Sequence, residues 1–283
     1  MNKNYFTVPV TPVNAGIASD ILTEHTGISK TKIKDAMNKG AVWLTRKKGK
    51  RIRLRRARSR VISGDTLELY YDEKLLALKP GDAGCLADHE QYSVWYKPSG
   101  LLTQGTNFGD HCSLMRQAEL FFVPRREVFL VHRLDREASG LVLLAHSKTA
   151  AAKLSALFQQ GLIEKRYRIE VLGDLTGKAR GVIDLPLDKK EAITTFEVIS
   201  YDRETHTSRV DVIIKTGRLH QIRRHFFMIG FPVMGDPRYG RGNKNEQGMM
   251  LEAVSLAFVC PFLHDKVVFH REHFQAEIVK YNG

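Results

Sequence analysis

Cysteine is scarce in this chain of 283 residues, and Cys85, Cys112 and Cys260 lie far apart without forming a CxxC pair. A zinc ribbon needs closely spaced cysteine pairs and a small secreted fold needs several disulfides, so neither class of protein is supported. A reducing, cytoplasmic location is therefore expected. No run of about 18 apolar residues occurs, which argues against a membrane-spanning helix. The first twelve residues also lack the apolar segment of a secretory signal peptide.

Sequence motifs that bind cofactors or metal ions are also missing. The sequence contains no glycine-rich phosphate-binding loop. His270 and His273 have a spacing found in metal sites, but no third ligand is nearby in the sequence, and both are expected at the surface. We therefore expect neither a cofactor nor a metal ion.

Acidic residues are outnumbered, with 31 Asp and Glu against 44 Lys and Arg, for a net charge of +13. Between Arg46 and Arg60, ten of the fifteen residues are basic and none is acidic, so this run alone accounts for ten of the thirteen excess charges. Such a local excess indicates one surface for a polyanion, with nucleic acid favoured over an anionic membrane. A solvated basic loop is the alternative.

Two short helices are predicted before the basic run. Ile17, Ile21 and Leu22 have helical spacing, and Gly27 is a suitable C-terminal cap. A second helix is predicted from Ser29, as N-cap, to Gly40. Short strands are predicted over residues 41–45 and 66–71.

This N-terminal pattern, "LTEHTGISKTKIKDAMNKGAVWL" followed by "ISGDTLELYY", resembles the small RNA-binding S-four domain. The resemblance implies that the second helix and the following basic run contact RNA phosphates, through Lys30, Lys32, Lys34, Arg46, Lys47, Lys48, Arg51 and Arg53. We place this domain at residues 1–75. Residues 76–90, which contain Pro80, Gly81 and Gly84, are predicted as a linker, and residues 91–283 as a second domain.

The second domain shows many strand patterns and a helix predicted over about 218–229. On that helix Leu219, Ile222, Phe226 and Ile229 mark a buried face, and Arg223 shares this face. A guanidinium that points inward needs an anionic partner, unless its head reaches water at the edge of the core. Asp135 is the candidate partner, since it lies in a turn between two apolar runs; a purely structural turn aspartate is the alternative.

Five segments of the second domain, "YKPSGLL", "HRLDREASGLVLLA", "EKRYRIEV", "TGRLHQIRRHF" and "GFPVMGDPRYG", occur in this order. Together they resemble the RluA family of pseudouridine synthases from about Ser93 to Phe262. The resemblance implies an α+β protein, in which a small N-terminal RNA-binding domain of two helices and short strands precedes a catalytic domain with a mixed, largely antiparallel sheet. The implied activity is isomerisation of uridine to pseudouridine in ribosomal RNA or, as the weaker alternative, transfer RNA, by a monomer without cofactor.

The resemblance also implies residue roles. Asp135 corresponds to the nucleophile, which attacks either C6 of the base or C1′ of the sugar. Arg223 corresponds to the arginine that pairs with it, and Tyr167 to the tyrosine that stacks on the base and helps to remove the C5 proton. His132 and Arg133 are expected to hold or replace a nucleotide flipped out of its helix. His220 and Gln221 are expected to make structural hydrogen bonds.

Two positions depart from the family pattern: Ala138 stands where threonine is usual, and Gln104 where histidine is common. Neither change removes a catalytic group. Ala138 is nevertheless the one feature in favour of a non-enzymatic RNA-binding or ribosome-assembly factor. A DNA-binding regulator is a third alternative, disfavoured because the second helix lacks a pattern of Asn, Gln and Arg side chains that could contact base edges.

Overall fold

The computed structural model describes residues 3–79, 81–240 and 245–274, and the chain divides into two compact units. Unit 1 comprises residues 1–80 and 104–116, and unit 2 comprises residues 81–103 and 117–283. The N-terminal unit is thus built from two pieces of the chain, whereas the sequence suggested one continuous segment. The end of the predicted second domain, residues 275–283, lies outside the described residues.

Unit 1 combines short helices with a small antiparallel sheet. Its elements are β1 (Lys3–Pro9), β2 (Gly16–Ile17), α1 (Ala18–Thr26), α2 (Lys30–Asn38), β3 (Val42–Thr45), β4 (Arg51–Arg53), β5 (Arg60–Val61), β6 (Thr66–Asp72) and α3 (Glu73–Leu76). The order in the main sheet is β1-β6-β3-β4, and β2 pairs with β5. The core contains Leu22, Ile33, Met37, Leu67 and Leu69, all fully buried.

The two predicted N-terminal helices are confirmed. Gly27 adopts the left-handed conformation at the end of α1, with φ 69°, and its N–H donates to the carbonyl oxygen of Thr23. Ser29 occupies the N-cap position of α2, but its hydroxyl makes no capping hydrogen bond. The basic run is more ordered than a loop, since β4 and β5 lie within it and Leu54 is buried while Ile52 is half exposed.

Residues 104–116 belong to unit 1 because their polar groups pair with its basic strands. The Asp110 carboxylate accepts a hydrogen bond from Arg55 and forms an ion pair with Arg53, whose Nε lies 3.2 Å from Oδ2. The indole N–H of Trp43 donates to the carbonyl oxygen of Asn107 at 3.1 Å. Pairing between residues more than fifty positions apart leaves no local pattern in the sequence, which explains why the sequence analysis did not place this segment.

Unit 2 is built around a larger sheet, and the division between the units falls inside α4. The elements that follow α3 in the chain are β7 (Gly84–Asp88), β8 (Tyr92–Lys97), α4 (Leu114–Phe121), β9 (Phe129–Leu130), β10 (Ser139–Ala145), α5 (Lys148–Gln159), β11 (Glu164–Leu172), β12 (Arg180–Asp184), β13 (Ile193–Asp202), β14 (Thr207–Ile214), α6 (Gln221–Met228), β15 (Leu251–Val259) and β16 (Lys266–His270). Strand β7 occupies part of the predicted linker. It pairs with β8 and therefore belongs to the sheet.

The main sheet of unit 2 has the order β12-β13-β14-β11-β15-β10-β8-β7, with β16 beside β15 and β9 beside β10. All of these pairings are antiparallel except that of β10 with β15, which is parallel. The predicted α+β class with a mixed, largely antiparallel sheet is confirmed. Among the described residues, no helix is long and apolar enough to cross a membrane.

Gly140 allows the parallel pairing that follows the Asp135 turn. It has φ 115°, and a Cβ atom at this position would lie 2.3 Å from the carbonyl oxygen of Ala253 in β15. A side chain here would push β10 away from β15. The close approach of these two strands fixes where the chain leaves the turn that carries Asp135.

Candidate active site

A cavity of about 700 Å³ opens in unit 2. Its walls come from the turn between β9 and β10, from the end of α5, from the start of β11 and from the segment that joins β14 to α6. Asp135, Tyr167 and Arg223, the three residues predicted to be catalytic, all line it, as do His132 and Arg133. The fold therefore brings together five predicted residues that are up to 91 positions apart in the sequence.

Asp135 and Arg223 form the ion pair that the buried face of α6 suggested. Nη1 of Arg223 donates to Oδ2 of Asp135 at 2.8 Å. The Arg223 side chain is 3% exposed and the Asp135 side chain 21% exposed. The guanidinium is thus held inside the protein while the carboxylate reaches the cavity.

Asp236 is the stronger partner of Arg223, and the sequence analysis did not single it out. Its two carboxylate oxygens accept from Nε and Nη2 of Arg223 at 2.7 and 2.8 Å, and its side chain is fully buried. Oδ1 also accepts from the backbone N–H groups of Arg238 and Tyr239. This two-point contact fixes the plane of the guanidinium. Asp236 lies in the "GFPVMGDPRYG" segment, but no periodicity marks it as a partner of α6.

Ion pairing overcomes burial at both of these groups. Burial opposes the charge of Arg223, but hydrogen bonds to Asp236 and Asp135 outweigh it and raise the pKa of the guanidinium above its ordinary value. For Asp236, burial raises the pKa of the carboxyl group. Hydrogen bonds from Arg223 and from the two backbone N–H groups lower this pKa by more, so it lies below its usual range. Both groups are therefore charged at neutral pH.

Asp135 keeps one oxygen available to a ligand. Oδ2 receives the bond from Arg223 and lies 3.8 Å from Nε2 of His220. Within the described part of the chain, no group donates a hydrogen bond to Oδ1. An oriented carboxylate with a free oxygen at a cavity wall has the arrangement that a nucleophile or a general base requires.

Tyr167 lies on β11 with its side chain directed inward, and the residue is 8% exposed. The pairing of β11 with β15 shifts register between Arg166 and Tyr167, so that Val254 is skipped. The extra residue of this bulge is on β15, and β11 keeps its regular alternation of buried and exposed side chains. Burial, and secondarily the charge of Asp135, raises the pKa of the Tyr167 phenol well above its ordinary value, so the hydroxyl stays protonated at neutral pH.

Lys97, at the end of β8, supports the turn that carries Asp135 and was also not singled out from the sequence. Its fully buried ammonium donates to the carbonyl oxygens of Pro98, Leu101, Arg136 and Ala138, at 2.6–3.2 Å. Burial lowers the pKa of this ammonium to about 8, against the opposing charges of Glu137 and Asp135. These bonds tie β8 to the backbone just after Asp135. Ala138, one of the two departures, contributes through its carbonyl oxygen.

His132 is packed beneath the cavity wall. Its Nε2 accepts from the backbone N–H of Leu143 at 2.9 Å, and its ring stacks on Phe158 with centroids 4.3 Å apart. Burial, together with the charge of Lys165, lowers the pKa of His132 to about 3, so the imidazole is neutral. These contacts give His132 a structural role, whereas Arg133 beside it is exposed at the cavity. A role of either residue in holding a flipped nucleotide remains a prediction.

The start of α6 differs from the prediction. The helix begins at Gln221, because His220 adopts a left-handed backbone conformation with φ 52°. Leu219 is consequently not on a buried helix face: it is 61% exposed and lines the cavity. The structural hydrogen bonds expected of His220 and Gln221 are present, since Nδ1 of His220 bonds to the Tyr239 hydroxyl and the Gln221 amide bonds to the Ile193 carbonyl oxygen and the Thr194 hydroxyl.

The predicted RNA-contacting side chains of unit 1 fall into two groups. Five have carboxylate partners within the unit: Lys30 with Asp20, Lys32 with Glu73, Arg46 with Asp65, Arg51 with Glu68 and Arg53 with Asp110. Lys34, Lys47 and Lys48 are exposed. No carboxylate from the described residues lies within 4 Å of these three, so their charges face solvent.

Metal-binding groups are not assembled in the part of the chain that the structure describes, where no three His, Cys, Asp or Glu side chains are arranged to hold an ion. Cys85, Cys112 and Cys260 are reduced and are not joined in disulfides.

Comparisons with known proteins show which family and which relatives this chain is similar to. Residues 91–227 match the family profile described as RNA pseudouridylate synthase. An uncharacterized RNA pseudouridine synthase of Mycoplasma pneumoniae is 32% identical over 66% of this chain and 65% of its own length. The dual-specificity RNA pseudouridine synthase RluA of Vibrio vulnificus is 33% identical, over 59% of this chain and 74% of its own. The ribosomal large subunit pseudouridine synthase D of Nitrosomonas europaea is 31% identical, over 64% of this chain and 56% of its own length.

Among solved structures, human RNA pseudouridylate synthase domain containing 1 superposes with a TM-score of 0.58 at 22% identity, over 68% of this chain and 85% of that one. This similarity shows a shared fold. The chain spans just under two thirds of the length of the Mycoplasma pneumoniae relative.

Proposed function

Because the chain belongs to the RNA pseudouridylate synthase family, we propose that it isomerises uridine to pseudouridine within RNA, with Asp135 as the nucleophile. One observation carries this proposal: a carboxylate with a free oxygen is fixed by a buried arginine at the wall of a cavity large enough for a nucleotide. The cavity wall also carries Arg133, Lys165, Lys215 and Arg218, and Asp135 is the single carboxylate that the described residues contribute to it. This charge distribution suits a phosphate-bearing ligand.

The reaction is an internal exchange of one bond. The N1–C1′ bond breaks, a C5–C1′ bond forms, the C5 proton leaves and N1 gains a proton, with no net oxidation or reduction. Asp135 forms a transient bond to either C1′ or C6, and is expelled when the new C–C bond is complete. Because these atoms are inaccessible in a stacked helix, the nucleotide has to leave the helix and enter the cavity.

Arg223 serves the nucleophile by fixing the orientation of its carboxyl group. Its two bonds to Asp236 fix the guanidinium, and its remaining Nη1 fixes one oxygen of Asp135. A carboxylate held in this way does not need to reorganise before it attacks.

Tyr167 would contact the base. Its ring lines the cavity, where it would stack on uracil, and its raised pKa means that the phenol is protonated when the substrate binds. If the phenol oxygen takes up the C5 proton, it must release its own proton in the same step. Asp135 is a suitable acceptor because its charge acts on Tyr167 and because the carboxylate is freed at that stage.

Unit 1 would hold the surrounding RNA. The order of α1, α2 and the small sheet is compatible with the S-four-like domain suggested by the sequence. We assign the phosphate contacts chiefly to Lys34, Lys47 and Lys48, since their charges are not neutralised by carboxylates. Ribosomal RNA is the favoured substrate, because one relative is named as a ribosomal large subunit enzyme. We further propose that the protein acts as a monomer in the cytoplasm, where free thiols persist.

Release of tritium tests the proposal. Ribosomal and transfer RNA with tritium at uridine C5, prepared from cells that lack this protein, are mixed with purified enzyme. Isomerisation must release this hydrogen to water. Wild type is expected to release tritium from ribosomal RNA, whereas Asp135→Asn, which keeps the shape of the side chain but cannot act as a nucleophile, is expected to release none while RNA binding changes less than about threefold.

Two outcomes would contradict the proposal. Release by Asp135→Asn at the wild-type rate would remove Asp135 from the chemistry. The second outcome is that wild type releases no tritium from ribosomal RNA, transfer RNA or an assembling ribosomal particle, although salt-sensitive RNA binding remains. This result would favour a non-enzymatic RNA-binding factor instead.

A further inference from the structure

Lys165 is a buried cation in the cavity wall that the catalytic scheme does not use. It lies two residues before Tyr167 on β11, and the alternation of the strand directs both side chains to the same face. The residue is 9% exposed and lines the cavity. A methyl group added to Gly217 would lie 3.9 Å from Nζ, which places the ammonium beside the backbone of the segment leading to α6.

In the part of the chain that the structure describes, this ammonium has no partner. Among the residues that the structure describes, no carboxylate lies within 4 Å of Nζ and no acceptor forms a hydrogen bond with it. Lys97, the other buried lysine of the site, has four carbonyl acceptors. Burial alone accounts for the lowered pKa of Lys165. A buried cation without a counter-ion is unfavourable, and an anionic ligand would relieve that cost.

The position of Lys165 identifies which part of a nucleotide it meets. Asp135 and Lys165 line the same cavity, but the contacts of the Asp135 carboxylate are with Arg223 and His220. Among the described residues, no carboxylate oxygen lies within 4 Å of the Lys165 ammonium, so the cation is separate from the nucleophile. In a nucleotide, the phosphate is separated from the N1–C1′ bond by the ribose, so an ammonium away from the nucleophile but within the same cavity meets the phosphate.

We propose that Lys165 is a positioning residue that binds a phosphate of the flipped nucleotide and thereby sets the depth at which uracil enters the cavity. This inference rests on the proposed function for the identity of the nucleotide. The phosphate preference itself can be measured without turnover. The exposed cations Arg133 and Lys215 at the same cavity are solvated, so they would contribute less to this selectivity.

The test compares uridine with uridine 5′-monophosphate as ligands of the full-length protein at pH 7, in NMR titrations up to about 10 mM. A charge-assisted hydrogen bond should make wild type bind the phosphorylated ligand roughly tenfold to a hundredfold more tightly. Lys165→Met should abolish this ratio while leaving the affinity for uridine within about threefold. Lys165→Arg, which keeps the charge, should restore most of the ratio. Lys178→Met removes an exposed lysine outside the cavity and serves as the control.

The outcomes separate this inference from the proposed function. If wild type does not distinguish the two ligands, or if Lys165→Met keeps the wild-type ratio, the phosphate role is wrong even when tritium is released. If Lys165→Met does not fold, Lys165→Arg must still retain the preference, and its loss would also refute the proposal. Absence of tritium release with an intact, Lys165-dependent phosphate preference would instead refute the proposed reaction alone.

Discussion

Replacing Asp236 by asparagine should destabilise unit 2 and slow the reaction, although Asp236 does not line the cavity. The Asp236 side chain is fully buried and that of Arg223 is 3% exposed, so the charge of Arg223 would lose its main counter-ion without gaining access to water. Removing one member of a buried ion pair costs about 3–5 kcal/mol. The amide oxygen of asparagine can still accept from the backbone N–H groups of Arg238 and Tyr239, so we expect about 3 kcal/mol.

This loss is large enough to measure directly. For a unit of about 190 residues, each kcal/mol lowers the melting temperature by roughly 2–4 °C, so Asp236→Asn should melt about 6–12 °C below wild type. Urea unfolding followed by far-UV and near-UV circular dichroism would give the free energy of unfolding. The matched control is Asp188→Asn, because Asp188 pairs with Arg224, the next residue on α6, but its side chain is 67% exposed. The control should melt close to wild type, because an exposed ion pair contributes little to stability.

The catalytic effect should exceed the effect on folding. Asparagine cannot accept the two-point contact that fixes the plane of the guanidinium, so Arg223 can turn to cover both oxygens of Asp135. At a temperature where the variant is fully folded, the single-turnover rate of tritium release should therefore fall by about a hundredfold. An Asp236→Asn protein as stable as Asp188→Asn, or one with the wild-type rate, would show that Asp236 does not support Arg223.

Two further predictions concern pH and salt. Folding lowers the pKa of His132 from 6.5 to about 3, so below pH 6.5 the unfolded chain takes up a proton that the folded protein excludes. The contribution of the neutral imidazole to the free energy of unfolding is therefore complete above pH 6.5. About 2 kcal/mol of this contribution is lost by pH 5. Urea unfolding at pH 7, 6 and 5 should show a shallower pH dependence for His132→Gln than for wild type, and equal slopes would contradict the assignment. Replacing Lys34, Lys47 and Lys48 together by alanine should reduce the salt dependence of binding to a labelled RNA hairpin by about one ion per lost phosphate contact. Lys30 and Lys32, which form ion pairs with Asp20 and Glu73, provide the comparison. Replacing these two lysines by alanine should reduce the salt dependence of binding less.

The parts of the fold that could be predicted from the sequence are those set by local patterns. The caps and apolar spacing of α1 and α2 identified both helices. Similar local patterns mark other elements: the Ser147 hydroxyl at the start of α5 accepts from the backbone N–H of Ala150, and Val210, Val212 and Ile214 alternate along β14. The inward direction of Arg223 followed from helical spacing, and the ion pair with Asp135 bears out the need for an anion. Each of these inferences depends on neighbours within about four residues.

The parts that could not be predicted depend on contacts between distant segments. Nothing near Asp236 in the sequence indicates that it meets α6, and nothing near Asp110 indicates the basic strand of unit 1. Leu219 fits the apolar spacing of α6 but lies in the loop before the helix, because the left-handed His220 interrupts the helical backbone. The strand β15 was not identified because it lies inside the sheet and is buried on both faces, so its side chains do not alternate between apolar and polar.

The donor geometry of arginine explains why the site uses two aspartates of unequal exposure. A guanidinium has five N–H donors in one plane, and Asp236 takes one edge through Nε and Nη2, which leaves Nη1 for Asp135. A lysine ammonium at this position would be a point charge that cannot fix two carboxylates in defined orientations. Because Asp236 satisfies most of the buried charge, Asp135 needs to give only one oxygen to the ion pair. The same arrangement that permits Arg223 to be buried therefore leaves the other oxygen of Asp135 free to react.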